Sequence, residues 1–259
     1  MYPQVLSLDA PAVAVCWQWL FAKTFHVSIG PAALLVTAAC VWMIYAADHL
    51  LDVRGGAIYS VRHRFMARHS RSFLGAAVAV FIAATLASAR LPLSIWRGAV
   101  ELTAIVGVYL ALVHCGGEKV RRYWPKEFAI GAVFAAGSTI ATWSSGARHV
   151  WPEIALFAAS CTLNCCAVDY WEWQTNHVLL RYPHGLTRWV GRRFATCAVA
   201  IIAVGGLLLA FAPSEVIGAV IASMLLLLFV ARKRGRISPE VAHLLADAAL
   251  LTPLLFLLR

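Results

Sequence analysis

The chain has 259 residues, 61% of them hydrophobic and only 13% charged, with 22 Lys+Arg against 12 Asp+Glu and a mean hydropathy of +0.76. Soluble domains carry about 25% charge, and a chain of this length cannot hide so much apolar surface in one water-soluble core; the composition is that of an integral membrane protein. The net charge of +10 is therefore read through the positive-inside rule, and nucleic-acid binding is set aside.

The N-terminal MYPQVLSLDAP lacks the basic region and small-residue cleavage site of a signal peptide, so the first apolar segment is expected to remain. A crossing helix needs about 20 largely apolar residues. Nine such stretches follow in order, at 10–29, 32–50, 72–90, 94–115, 126–145, 150–170, 193–212, 214–231 and 239–257. Tight turns at Gly30-Pro31, Leu91-Pro92, Trp151-Pro152 and Ala212-Pro213 join neighbours, because proline opens a helix well and cannot sit in its interior. The other four connections are longer and basic. They carry Arg54, Arg62, Arg64, Arg68 and Arg71; Lys119, Arg121, Arg122 and Lys126; Arg181, Arg188, Arg192 and Arg193; and Arg232, Lys233, Arg234 and Arg236.

Nine spans put these 17 of the 22 cations on one side. By the positive-inside rule that side is cytoplasmic, with the N-terminus in and the C-terminus out. Continuous apolar runs exclude a β-barrel. The expected fold is all-α: a single polytopic membrane domain covering 1–259. The seven cysteines fall in apolar segments without the spacing of a zinc site or disulfide framework, and read as small packing residues.

An acidic side chain in a span costs several kcal/mol by insertion scales, on the order of 2.5–3.5, so each one asks for a function. Asp48 and Asp52 end the second span at i, i+4, and Asp169 and Glu172 end the sixth at i, i+3; each pair shares a helical face. Both pairs meet a basic loop. Oxygen ligands at this spacing suit Mg²⁺ shared with a phosphate, and neighbouring Arg and Lys suit the remaining phosphate charge. The alternative for these acids is interfacial charge paired with neighbours such as Arg54.

Three further features stand out. SVRHRFMARHSRSF has the pattern of an amphipathic surface helix, lying on anionic lipid or forming a lid. His243 and Asp247, at i, i+4 in the last span, read as a paired structural couple, with a proton relay as the alternative, and Pro253 is placed to bend that helix. Trp143, Trp151, Trp171, Trp173 and Trp189 fall near predicted interfaces, as aromatic belts do.

Nine spans, acidic motifs closing the second and sixth, and basic cytoplasmic loops together resemble the UbiA superfamily of intramembrane prenyltransferases. Asp48 and Asp52 match the Asp pair of that family's first motif, without its preceding Asn. Asp169 matches the second motif, while Trp173 stands where its last Asp is expected and Glu172 is adjacent. EKVRRYWPKEFAIG supplies Lys119, Arg122, Pro125 and Gly131 for the basic stretch before the fifth span, and HGLTRWVG supplies Gly185 and Thr187 after the sixth.

The resemblance implies Mg²⁺ held by Asp48, Asp52, Asp169 and Glu172. It implies a diphosphate neutralised by Arg62, Lys119 and Arg122, with Asn164 as a further substrate contact. The reaction would transfer an isoprenyl group from an isoprenyl diphosphate to a lipophilic acceptor inside the membrane. A terpene cyclase of the same superfamily and a non-enzymatic membrane carrier or lipid-binding protein are the alternatives.

Overall fold

The computed structural model describes residues 8–54, 68–115, 126–147, 149–175 and 184–258. Every element among them is helical. Among the described residues, seven helical segments are long and apolar enough to cross a membrane: Pro31–Asp48, Ser70–Ser88, Leu93–Leu112, Trp151–Thr175, Phe194–Phe211, Glu215–Arg236 and Pro239–Leu257. The protein is thus a multi-pass helical membrane bundle. The four proline-marked turns stand where the sequence puts them.

Two of the nine expected spans form shorter helices, for local reasons. Helix α1 (Asp9–Thr24) has 16 residues, about 24 Å at 1.5 Å per residue. It stops in a Schellman motif: His26 takes a left-handed φ of 55°, His26 N–H donates to the Lys23 carbonyl at 3.3 Å and Val27 N–H to the Ala22 carbonyl at 2.8 Å. The fifth stretch divides into α5 (Lys126–Ser138) and α6 (Ile140–Trp143). Thr139 lies at the break, its hydroxyl donating back to the Ala135 carbonyl at 2.7 Å, a competition that bends helices.

The intervening spans are α2 (Pro31–Arg54), α3 (Ser70–Ser88) and α4 (Leu93–Cys115). After them come α7 (Trp151–Thr175), a short α8 (Gly185–Arg192), α9 (Phe194–Phe211) and α10 (Glu215–Lys233). A 3₁₀ turn, Arg234–Arg236, leads to α11 (Pro239–Ala248). The last span then tightens to 3₁₀ at Ala249–Leu251 before α12 (Leu254–Leu257). Pro253 explains that bend: it has no N–H to donate, and its ring crowds the carbonyl four residues back.

Helix α7 forms the axis of the bundle and packs against α5, α8, α9, α10 and α11. Its buried residues therefore fall on all sides of the helix rather than in one stripe. Small residues let neighbours close on it. Gly131 of α5 rests on Thr162 and Gly191 of α8 on the Tyr170 ring, and neither has room for a Cβ.

Helix α1 is the second interior element. Its Ala14, Trp17, Leu20 and Phe21 are fully buried; the Trp17 ring stacks on Phe157 at 4.1 Å and its indole N–H donates to the Leu250 carbonyl at 2.8 Å. By contrast, α3, α4 and α9 turn Phe81, Leu86, Val100, Leu207 and Phe211 outward, where lipid would meet them. Trp151 and Trp189 are exposed as belt residues would be, but Trp171 is buried, which removes it from a belt.

Candidate functional site

Asp48 lies toward the end of α2 and Asp169 toward the end of α7, and the residue they have in common is the first of α5. Lys126, exposed at the first turn of α5, interacts electrostatically with Asp169 of α7 and with Asp48 of α2. One ammonium thus lies within reach of acids from two separate spans. Asp169 also feels Glu127 and Glu172, and the Tyr109 phenol of α4 feels Asp48, Lys126 and Glu127. Glu127 is only 3% exposed, and its Oε2 accepts a hydrogen bond from the Thr187 hydroxyl at 2.8 Å, tying α5 to α8.

The polar seam continues inward from this mouth. Cys161, Cys165 and Asp169 follow one another at four-residue spacing on one face of α7. Cys165 interacts with Asp247, Glu127, Asp169 and Lys126. Tyr45, three residues before Asp48 on α2, interacts with Cys165, Asp247, Asp9 and Cys161. The charge of the last span's acid is therefore felt on both α2 and α7. At the other end of α1, Lys23 pairs with Glu215 at 3.2 Å and donates to the Phe256 carbonyl at 2.7 Å, a clasp remote from the seam.

Of the sequence-derived site residues, Asp48, Asp169 and Glu172 have described side chains, and the first two share Lys126. The Asp52 side chain lies outside the described residues, as do Arg62, Lys119 and Arg122 and residues 60–67 of the amphipathic segment. Asn164 is 5% exposed, and its Oδ1 has no hydrogen-bond partner. It precedes Asp169 by five residues, which on a helix is about 7.5 Å along the axis and about 140° around it. Lys126, Glu127, Tyr109, Cys165 and Thr187 join the acids through tertiary packing; the signals in the sequence were the four-residue stripe on α7, the basic connection that holds Lys126 and the HGLTRWVG stretch that holds Thr187.

Among the described residues no group of three or more His, Cys, Asp or Glu side chains is placed to hold a metal ion. Mg²⁺ does not demand one, since it is usually bound by one or two carboxylates together with substrate phosphates and water. The donor set fits that mode: Asp48 and Asp169 are hard oxygen donors, and with Glu127 and Glu172 they outnumber Lys126, the cation the described residues place among them. Buried charge of one sign needs a counter-charge.

No protein-family model, curated protein or solved structure matches this chain. Fold and site together define the class: a polytopic α-helical membrane protein in which acids of α2 and α7 interact with the lysine that begins α5.

Proposed function

We propose that this protein is a divergent UbiA-type prenyltransferase that moves an isoprenyl group from an isoprenyl diphosphate to a lipophilic acceptor within the membrane, with Mg²⁺ as its cofactor. The observation that carries the reading is the interaction of Lys126 with both Asp48 and Asp169. Carboxylates from two spans facing one cation at the end of an apolar bundle suit a diphosphate head with a hydrocarbon tail. The reading includes nine crossings, with α1 and α5–α6 as the two short ones. Helix α1 is packed inside the bundle, so it need not match the full hydrocarbon thickness. On this reading the four basic connections face the cytoplasm.

Asp48 and Asp169, with Asp52 and Glu172, would hold Mg²⁺, which stabilises negative charge on the departing diphosphate. Lys126 would neutralise a further diphosphate oxygen, a role in which Arg62, Lys119 and Arg122 would join it. The Glu127–Thr187 bond holds α5, and so Lys126, against α8. The apolar interior keeps water from the reacting carbon. There the C–O bond to diphosphate breaks, the acceptor carbon or heteroatom bonds to the allylic carbon, and the acceptor's proton leaves to water at the seam's open end.

The test is diphosphate release from radiolabelled geranyl, farnesyl and geranylgeranyl diphosphates by purified protein with Mg²⁺, with and without lipophilic acceptors. Asp48→Asn, Asp169→Asn and Lys126→Met should each lower turnover by about 100-fold or more, the scale of losing one charge-stabilising group, while leaving membrane insertion intact. Hydrocarbon product without an acceptor would make the protein a cyclase. Wild-type turnover in all three variants, or no consumption of any diphosphate, would refute the reading.

A further inference from the structure

A polar cavity of about 380 Å³ lies at the end of α7, on the side away from Asp169. Trp171, Gln174 and Thr175 at the end of α7 form one wall; Arg234 of the 3₁₀ turn, with Ala242 and His243 of α11, closes it. The volume falls in the range of small-ligand sites. Arg234 is half-buried, and its guanidinium stands 5.4 Å over the Trp171 ring. No carboxylate pairs with it among the described residues. Stacking on an indole orients a guanidinium and recovers part of its lost hydration, but it leaves the N–H donors along the ring edge unused.

Arg232, Lys233 and Arg236 crowd the same turn and add positive potential. The first turn of α11 adds little: Pro239 has no N–H, and the Ser238 hydroxyl already accepts from Val241 N–H at 3.3 Å. The charge available to a ligand therefore comes from Arg234.

The geometry points to a phosphate-binding site between α7, the 3₁₀ turn and α11, in which Arg234, held flat on Trp171, pairs with the phosphate of a lipid headgroup or of a soluble phosphate. A planar guanidinium with free edge donors suits phosphate oxygens two at a time. Gln174 donates one amide hydrogen to the Tyr170 hydroxyl at 3.1 Å and Thr175 donates to the Trp171 carbonyl at 3.0 Å, which leaves the second amide hydrogen of Gln174 and the oxygens of both side chains for the rest of the headgroup. The cavity exceeds what a bare phosphate fills. It stands independently of the diphosphate reading, because none of its lining residues belongs to the Asp48–Asp169 seam.

The full chain in detergent is titrated with phosphatidylglycerol in one arm and inorganic phosphate in the other, with bound species counted by native mass spectrometry. One equivalent of either should bind, and Arg234→Gln should weaken it by about tenfold or more, the loss of one charged hydrogen-bonding group. Thr175→Trp, which fills the rim without changing charge, should do the same, and it serves if Arg234→Gln fails to fold. Arg236→Gln, exposed and outside the lining, removes only part of the general positive potential and should weaken binding much less than either pocket variant. Lipid uptake with this pattern identifies a headgroup site, and phosphate uptake with it a soluble-ligand site. If neither probe binds at one equivalent, or if Arg236→Gln weakens binding as much as the two pocket variants, the proposal is overturned.

Discussion

Thr187→Val removes one hydroxyl from the base of the site and changes almost nothing else in shape. Thr187 is fully buried and Glu127 is 3% exposed, so no bulk water can replace the 2.8 Å bond from the Thr187 hydroxyl to Glu127 Oε2. A hydrogen bond to a charged group contributes about 1.5–3 kcal/mol, and a buried acceptor left without its donor costs about the same. The valine variant should therefore lose about 2 kcal/mol, a roughly 30-fold shift in the unfolding constant.

Glu127→Met alone should cost a similar amount by stranding the hydroxyl. The double variant should recover most of the loss, since replacing both partners by apolar groups of similar shape is nearly neutral. Unfolding of the purified protein in mixed micelles by a denaturing detergent, followed by tryptophan fluorescence, measures all four corners of the cycle. A coupling energy below about 0.5 kcal/mol would show that the hydroxyl does not hold Glu127, and the clasp between α5 and α8 would have to be abandoned.

Trp17→Phe removes the indole N–H that reaches the Leu250 carbonyl at 2.8 Å and part of the stack on Phe157 at 4.1 Å; about 2 kcal/mol of stability should go with them, read in the same titration. Gly131→Leu drives a side chain into Thr162 at the closest approach of α5 to α7; folded yield should fall sharply, whereas Gly75→Leu, which meets open space on α3, should express normally. Reporter fusions after residue 236 and at the C-terminus should report opposite sides of the membrane, because Pro239–Leu257 is long and apolar enough to cross once; the same side for both would remove the last span.

The sequence by itself determined the environment, the class of fold and most helix limits. Sparse charge and long apolar runs are local properties, and proline punctuates a helix through its own ring and missing N–H. The turns before Pro31, Pro92, Pro152 and Pro213 and the bend at Pro253 were therefore readable without a structure. The stops at His26 and Thr139 were not. In the first, a non-glycine residue takes a positive φ; in the second, a hydroxyl returns to its own helix, and neither residue type marks a break by identity alone.

The carboxylate pairs were visible as scarce charges at the ends of two spans, but their relation to each other was not. Hydropathy cannot say which faces of two helices meet, because that depends on where small residues such as Gly131 and Gly191 let neighbours close on α7. Tertiary packing brought Lys126 into electrostatic range of Asp48 and Asp169, bonded Thr187 to Glu127, and turned Trp171 from an expected interfacial residue into the buried platform under Arg234. In sequence, Lys126 follows Lys119 by seven positions, and the family resemblance picks out Lys119 rather than Lys126 as a site cation. Helix α5 begins at Lys126, and the docking of α5 on α7 carries that ammonium to the acids.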